Sequence, residues 1–483
     1  MAHTLDQTVL DAFEAILGSA GVITAEADRR PYETGARYDA GRAAAVLRPR
    51  STAEVSAVLA VCVRDGIAVI PQAGNTGLVS GSTPSAAGGD VVLSLDRLAR
   101  RFDLDPVNRS LRLDAGFRLS DVNRMLEPHG LFFPIDLSAD PRIGGMIATN
   151  TGGSRFLRYG DVRRNVLSLT VVLADGDGTI LQLGSDLRKN NTGVDWKQVF
   201  IGTSGAFGIV TEATLSLERL PRQSATAYLV PSGPEAVPLL LAQMEERLGS
   251  LLSAFEGMSR NAVAAALDHV PSLKNPFRGG EIPDYLILAE ISRTSAPREG
   301  EEPLSDMLEA VLAEIWEQAE APLADAFVGP PEEMWALRHA LSEGVKHKGR
   351  LIAFDLSFRR GDVTAFCATL GAEIAEAFPG IAVCDFGHIG DGGVHFNLAV
   401  PKDSPLWSDP GFEARLRDRV FEATVERFGG SFSAEHAIGR KNQSYYDRYT
   451  PETIKAMAEG LKAMTSPGTL GSVRFGRAAV DNR

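Results

Sequence analysis

Cysteine and long apolar runs are both scarce in this chain of 483 residues. Cys62, Cys367 and Cys384 are scattered and no CxxC pair occurs, so the sequence predicts neither a disulfide framework nor a zinc knuckle. No apolar run reaches the length of about 18 residues that a transmembrane helix requires. The N-terminal apolar stretch contains Asp and Glu, which indicates an amphipathic helix and not a secretory signal. We therefore expect a cytoplasmic protein without a transmembrane segment.

The chain also lacks an excess of positive charge: 49 Lys and Arg residues stand against 62 Asp and Glu, and the formal net charge is -13 at pH 7. Binding to nucleic acid needs a basic face, so we expect no nucleic-acid partner. An acidic substrate would have to be bound by local cations or by a metal ion, against the overall field of the protein.

Length and residue pattern together predict more than one domain. One hydrophobic core rarely spans so many residues, so two or three domains are expected. From about residue 45 to 220, short runs rich in Val, Ile and Leu alternate with glycine-rich turns, which indicates strands. Thr52–Arg64 is predicted to be a helix capped by Thr52, and residues 451–464 a helix capped by Thr450.

Three glycine-rich clusters lie at residues 71–81, 142–153 and 200–210. Gly and Asn tolerate positive φ, so consecutive backbone N–H groups can approach a pyrophosphate. Neither GxGxxG after a first strand nor GxxxxGK[ST] is present, which argues against a Rossmann or P-loop site. Glycine content alone also fits surface loops with tight turns, or a site for any nucleotide.

A second pattern combines histidines with a carboxylate. His388 and His395 are two of only eight histidines, and a glycine-rich turn between two short strands could bring their imidazoles together. Glu435 and His436 follow later in the chain as neighbours. Two imidazoles and one carboxylate suit Zn²⁺, Mn²⁺, Fe²⁺ or Co²⁺, whereas a single histidine beside glycines also fits an ordinary turn.

The glycine-rich clusters resemble segments of a known protein family. PQAGNTGL from Pro71, IGGMIATNTGG from Ile143 and FIGTSGAFGIVTEATL from Phe200 resemble, in this order, the FAD-binding domain of flavoproteins of the vanillyl-alcohol-oxidase type. The resemblance implies FAD as cofactor, with the pyrophosphate at residues 73–78. The cofactor-binding residues that it implies are Pro71, Ala73, Gly74, Asn75, Thr76, Gly77, Leu78, Gly81, Asp136, Leu137, Ser138, Gly144, Gly145, Ala148, Thr149, Asn150, Gly152, Gly153, Gly208 and Ile209. Residues 71–84 contain no His, Cys or Tyr, so we expect non-covalent FAD.

HIGDGGVHFN from His388, followed by SAEHAIGRK from Ser433, is similar to the C-terminal half of the D-lactate, glycolate and D-2-hydroxyglutarate dehydrogenase branch of these flavoproteins. The likeness implies that a divalent metal, Zn or Mn, is bound by three residues and that a histidine next to them is the general base. The metal ligands would be His388, His395 and Glu435, and the base His436. A WxxR segment from Trp335 completes the likeness, because a guanidinium fork fits a substrate carboxylate. The substrate contacts that the likeness implies are Arg338, Ser342 and Asn397.

The chain departs from the family pattern at several positions. They are Thr203–Ser204 for Ser-Glu, Ala206–Phe207 for Thr-Leu, Gly393 for Asn and Ala437 for Gly. In addition, Ala353 stands where members that act on hydroxyglutarate carry Lys, which weakens the case for a dicarboxylate substrate.

The resemblance implies an α+β protein. Residues 1–220 would form the FAD-binding domain, residues 222–430 an α+β cap domain built on an antiparallel sheet, and residues 431–483 a C-terminal segment that returns to the first domain. The expected enzyme oxidises a D-2-hydroxy acid, either D-2-hydroxyglutarate or one like D-lactate, and transfers a hydride to flavin N5. The electron acceptor would be an electron-transfer flavoprotein, a quinone or a cytochrome, and we expect a homodimer. The alternatives are an aromatic alcohol or phenol oxidase of the same fold and a degenerate flavoprotein without catalysis.

Overall fold

The structure is a computed structural model, and it describes residues 5–38, 40–277 and 280–478. The α-helices are α1 (Gln7–Leu17), α2 (Glu26–Glu33), α3 (Thr52–Arg64), α4 (Leu119–Leu126), α5 (Ile143–Thr149), α6 (Phe156–Tyr159), α7 (Val162–Asn165), α8 (Ala236–Leu248), α9 (Arg260–His269), α10 (Leu304–Trp316), α11 (Pro331–Lys348), α12 (Val363–Ala377), α13 (Phe412–Glu422), α14 (Gln443–Tyr449) and α15 (Glu452–Thr465). The strands are β1 (Val22–Ile23), β2 (Ala43–Leu47), β3 (Val69–Gln72), β4 (Asp90–Ser94), β5 (Phe102–Asp105), β6 (Ser110–Asp114), β7 (Leu131–Phe132), β8 (Val166–Val172), β9 (Ile180–Gly184), β10 (Ile209–Ser216), β11 (Glu218–Arg219), β12 (Gln223–Pro231), β13 (Leu252–Ser259), β14 (Tyr285–Arg293), β15 (Leu323–Gly329), β16 (Arg350–Ser357), β17 (Ala382–Val383), β18 (Phe386–Gly387) and β19 (Gly393–Val400).

The chain folds into two compact units, and the first comprises residues 1–151, 161–219 and 435–483. Its first sheet has the strand order β1-β2-β4-β3, with β2, β4 and β3 parallel. A second, antiparallel sheet has the order β5-β6-β10-β8-β9. Apolar side chains of the strands and of α3 and α5 form one buried core in this unit.

The second unit comprises residues 152–160 and 220–434. Its antiparallel sheet has the order β15-β12-β14-β13-β18-β19-β16, with β17 paired to β19. Helices α9 and α11 pack closely, because a Cβ atom on Gly344 would lie 2.6 Å from the backbone of Ala266. The expectation of an α+β fold with an antiparallel sheet in the second half is confirmed.

Residues 152–160 lie in the range that we assigned to the first domain, yet they pack with the second unit. The Arg158 guanidinium donates to the carbonyl and hydroxyl oxygens of Ser292 on β14, at 2.8 and 2.7 Å. Arg155 lies 3.8 Å from the Glu290 carboxylate of the same strand. These contacts join residues that are distant along the chain, so no local sequence pattern predicts them.

Two predicted helix caps are wrong by one residue. Helix α3 spans Thr52–Arg64 as expected, but its cap is Ser51, whose hydroxyl accepts from the Glu54 N–H at 3.2 Å. Helix α15 is preceded by Pro451 and not by Thr450. Among the described residues, none of the helices combines the length and the apolar character needed to cross a membrane.

Candidate active site

The three glycine-rich segments predicted to bind the cofactor come together around α5 in the first unit. A Cβ atom built on Gly145 of α5 would lie 3.3 Å from Cβ of Ala73, so the loop after β3 packs at contact distance on this helix. At the other end of α5, the Ser204 N–H donates to the carbonyl oxygen of Ala148 at 2.7 Å. The absence of a side chain at Gly145 thus gives the loop after β3 room to pack on α5.

The loop after β3 leaves an open and polar cradle. A Cβ atom on Gly77 would meet nothing within 4 Å. The hydroxyls of Ser80 and Thr83 are buried and have no hydrogen-bond partner among the described residues. Since buried hydroxyls in proteins are normally satisfied, these two groups fit a ligand that brings oxygen atoms, such as the phosphates of FAD.

Side chains and the C-terminal segment hold this loop in place. Asn75 adopts a φ of 52° and donates to the Thr34 carbonyl at 2.8 Å. From the C-terminal segment, the Lys441 N–H donates to the Val79 carbonyl at 3.3 Å. Ser472 adds a hydroxyl donor to the same loop.

The other residues assigned to the cofactor are spread over the same unit, with one exception. Residues 136–138 form part of the loop between β7 and α5, and Ser138 is exposed. Gly208 and Ile209 are both buried, Gly208 just before β10 and Ile209 at its start. The exception is the pair Gly152 and Gly153, which belongs to the second unit.

In the second unit, strands β16 and β19 present polar residues on one face. Asp355 lies directly opposite His395, and Ala353 directly opposite Asn397. Directly opposite residues of antiparallel strands point to the same side, and so do residues two apart. His395 Nδ1 is 3.4 Å from the Asp355 carboxylate. Asn397 is buried, and its amide nitrogen donates to the carbonyl oxygens of Cys384 and His395 at 3.3 and 3.1 Å.

His388 begins the tight turn that joins β18 to β19. Its carbonyl accepts from the N–H groups of Asp391 and Gly393, both at 3.1 Å. The rings of His388 and His395 are 5.6 Å apart between centroids, and ligand atoms of the two lie within 4.8 Å of one another. The predicted turn that brings both imidazoles together is therefore present.

A buried carboxylate from β13 connects His388 to Arg338. His388 Nδ1 lies 2.8 Å from Glu256 Oε1 and 2.9 Å from Oε2. Arg338, on α11, places Nε 2.9 Å and Nη2 2.7 Å from Glu256 Oε2. The Arg338 guanidinium also lies over the Phe386 ring, 5.2 Å from its centroid. Ser342 is half-buried one helical turn after Arg338.

Burial and charge set the protonation of this cluster. Burial would raise the pKa of Glu256, but the charges and hydrogen bonds of His388 and Arg338 outweigh it and lower that pKa to about 2. Burial lowers the pKa of His395, and Asp355 only partly opposes that shift. Glu256 is therefore ionised and His395 favours the neutral form, which is the form that binds a metal.

The position of Glu435 and His436 follows from the residue that precedes them in the chain. They are the first two residues of the last segment of the first unit, and both are half-buried. The preceding residue, Ala434, belongs to the second unit, and its N–H donates to the Asp355 carbonyl at 3.2 Å. One peptide bond therefore joins Glu435 to a residue that is hydrogen-bonded to β16.

The sequence prediction missed Glu256 and Asp355. Each is an acidic residue in the middle of an apolar strand, in the stretches SAFEGM and AFDLS. A charge at such a position is unfavourable unless it is paired, so this pattern is a usable signal for a buried site.

Gly393 is one of the positions at which the chain departs from the family pattern. A side chain at this position would be crowded, because a Cβ atom there would lie 3.1 Å from the Asp391 carboxylate.

Known proteins resemble the chain over nearly its whole length. The model of an FAD binding domain matches residues 43–184, and the model of the C-terminal domain of FAD linked oxidases matches residues 220–468. A protein of Oryza sativa subsp. japonica named as a probable mitochondrial D-2-hydroxyglutarate dehydrogenase is 33% identical, over 95% of this chain and 79% of its own. A D-2-hydroxyglutarate dehydrogenase of Xanthomonas citri pv. viticola is also 33% identical, over 88% of this chain and 87% of its own.

Solved structures agree on the fold. A 4-ethylphenol oxidase from Gulosibacter chungangensis has a TM-score of 0.73 at 16% identity, covering 99% of this chain and 98% of its own. A p-cresol methylhydroxylase has a TM-score of 0.72 at 14% identity, with the same coverage. The predicted vanillyl-alcohol-oxidase type of fold and FAD as cofactor are confirmed. The chain belongs to the family of FAD-linked oxidases, with an FAD-binding domain followed by the C-terminal domain of that family.

Proposed function

We propose that this protein is an FAD-dependent dehydrogenase that oxidises a D-2-hydroxy acid to the 2-oxo acid, with a divalent metal bound by His388, His395 and Glu435. One observation carries the proposal: a carboxylate faces Nδ1 of each histidine, Glu256 for His388 and Asp355 for His395. Histidines that bind metals are held in this way, because the carboxylate fixes the tautomer and directs the Nε2 lone pair at the ion. The names of the curated relatives add support, since several are D-2-hydroxyglutarate dehydrogenases.

The protein residues then have separate tasks. Glu256 takes up the Nε–Nη2 edge of the Arg338 guanidinium, and the Nη1 side, which makes no hydrogen bond to the described residues, is assigned to the substrate carboxylate. His436 is assigned the removal of the proton from the 2-hydroxyl, for which an imidazole has a suitable pKa. Asn397 has its amide nitrogen occupied by two carbonyls, so its Oδ1 is the atom left for a substrate hydroxyl.

The bound groups would supply the rest of the chemistry. FAD, when bound, accepts the hydride from C2 of the substrate. A divalent ion, when bound, lowers the pKa of a hydroxyl that coordinates it. The electron acceptor, the homodimer and the cytoplasmic location stay predictions from the sequence.

The test is anaerobic stopped-flow absorbance near 450 nm, with D- and L-2-hydroxy acids that include D-2-hydroxyglutarate and D-lactate. We expect a D-acid to bleach the flavin, EDTA to abolish the bleaching, and Zn²⁺ or Mn²⁺ to restore it. His436→Ala should retain FAD and slow the bleaching by about 100-fold or more, since general bases contribute at least that factor. His129→Ala, at an exposed histidine, is the matched control and should react like the native protein.

Other outcomes would reject parts of the proposal. Bleaching that is unchanged after chelation would reject the metal. Bleaching by phenols or aromatic alcohols alone would favour the oxidase alternative, and a yellow protein that no substrate bleaches would favour the non-catalytic one.

A further inference from the structure

Glu256 is the most buried charged group of the cluster in the second unit, and the family motifs of the sequence do not include it. Its side chain is 1% exposed, and that of Arg338 is 6% exposed. The carboxylate is the common partner of Arg338 and His388, which come from α11 and from the turn after β18. Three separate elements therefore meet at one carboxylate.

This carboxylate links the two residues to which the proposed function gives different ligands. Arg338 would bind the substrate carboxylate, and His388 would bind the metal that meets the substrate hydroxyl. A shared carboxylate holds the Nη1 side of Arg338 at a set distance from Nε2 of His388. In a 2-hydroxy acid the carboxylate and the hydroxyl are attached to the same carbon, C2, whereas in a 3-hydroxy acid the hydroxyl lies one carbon further from the carboxylate.

The geometry points to Glu256 as a positioning residue, which sets the spacing between Arg338 and His388 and thereby selects 2-hydroxy acids over 3-hydroxy acids. This inference rests on the proposed function. Because a misplacement of about 1 Å in an active site can cost on the order of 100-fold in rate, a change at Glu256 should act on substrate and metal together.

The neighbouring strand offers a matched control. Glu290 on β14 is also buried, with 4% of the residue exposed. Like Glu256 it contacts α11, because its carboxylate accepts a hydrogen bond from Trp335 Nε1 at 2.9 Å. Its other oxygen accepts from the Ser253 hydroxyl at 2.7 Å. Replacing Glu290 removes a buried carboxylate from the same sheet but leaves the contacts of Glu256 in place.

The experiment compares Glu256→Gln, Glu256→Asp and Glu290→Gln with the native holoenzyme. Three quantities are measured: zinc per flavin after dialysis against a series of EDTA concentrations, KM for the D-2-hydroxy acid, and the ratio of kcat/KM between the 2-hydroxy and the 3-hydroxy acid of equal length. Retained FAD and the melting temperature report on folding.

For Glu256→Gln we expect KM to rise at least tenfold, zinc to be lost at a tenfold lower EDTA concentration, and the 2-hydroxy preference to fall at least tenfold. Glu256→Asp keeps the charge with a shorter side chain, so it should retain more zinc than Glu256→Gln but show the same loss of preference. Glu290→Gln should stay within threefold of the native protein in all three quantities, whatever its melting temperature.

Equal values for Glu256→Gln and the native protein would overturn the inference, and so would an equal loss in Glu290→Gln. If Glu256→Gln does not fold, Glu256→Asp provides the test. The inference would be overturned if that variant kept both the native preference for the 2-hydroxy acid and the native retention of zinc. A native protein that binds neither zinc nor manganese, or whose flavin is reduced by no 2-hydroxy acid, would instead reject the proposed function, and this inference with it.

Discussion

Ala437 has a backbone conformation that glycine adopts more easily than other residues. Its φ is 62°, in the left-handed region, directly after His436. A residue with a Cβ atom loses about 1–2 kcal/mol there, while glycine in the unfolded chain has more conformational freedom to lose, worth about 0.4–1 kcal/mol. We predict that Ala437→Gly raises the free energy of unfolding by roughly 0.5–1 kcal/mol, measured by urea denaturation.

Ala434→Gly is the control for this prediction. Among the described residues with a side chain, Ala434 is not one of those with positive φ, so glycine there should lower the free energy of unfolding by about 0.5–1 kcal/mol. The same sign of change in both variants would contradict the assignment of strain to Ala437.

At the scale of elements, α15 carries a half-buried lysine, Lys462, that reports on the packing of the helix. Lys462 Nζ donates to the carbonyl oxygens of Ala206 and Leu470 at 2.7 and 3.1 Å. Burial lowers the pKa of Lys462 to about 8. The helix thus fixes the segment that leads into β10, where one of the glycine-rich clusters lies.

This lysine predicts a pH dependence of stability. In the unfolded chain its pKa is near 10.4, so between pH 8 and 10 the unfolded state binds more protons than the folded state. The contribution of Lys462 to the free energy of unfolding therefore rises with pH, by about 2 kcal/mol between pH 7.5 and 10. The measurement is urea denaturation at several pH values for the native protein and for Lys462→Met.

The difference in free energy of unfolding between the native protein and Lys462→Met isolates the effect of the lysine, because all other groups titrate in both proteins. A difference that is constant from pH 7.5 to 10 would contradict the lowered pKa. A difference that moves in favour of Lys462→Met as the pH rises would contradict the sign.

At the scale of the whole molecule, the C-terminal segment completes the first unit. The Phe475 ring lies 5.7 Å from that of Phe207 and 5.4 Å from that of Tyr446, between centroids. Tyr446 also donates its hydroxyl proton to the Phe475 carbonyl at 2.9 Å. Beyond Phe475, the described contacts include a half-exposed ion pair of Arg477 with Glu459.

These contacts predict how far the chain can be shortened. A variant that ends at Phe475 should lose at most about 1 kcal/mol, since an exposed ion pair contributes little. A variant that ends at Arg474 should lose roughly 2 kcal/mol more, because it also removes a partly buried aromatic ring. Urea denaturation of the two variants, with the FAD content of each, checks this. Equal stability of the two would mean that Phe475 does not anchor the segment.

Several features of the candidate site could be predicted from the sequence. The glycine-rich clusters and the pair His388 and His395 were accessible because each depends on local residue types at fixed spacing, and the fold followed from the family resemblance that these motifs carry. The turn that joins the two histidines is likewise a local structure. The departure at Ala437 was visible in the sequence, but its strain became visible only with the backbone angle.

The partners of these residues could not be predicted. Glu256 meets His388 because β13 pairs with β18, and it meets Arg338 because α11 packs with α9 on this sheet. Residues 152–160 join the second unit through Arg158 and β14 in the same way. Such pairs are distant along the chain, and their energy comes from burial in the folded state, which leaves no periodic pattern in the sequence. The sequence alone thus determined the residue types of the site and, through the family resemblance that they carry, its cofactor. Only the tertiary structure determined which carboxylates hold the histidines and Arg338 in place, because those contacts join residues that are distant along the chain.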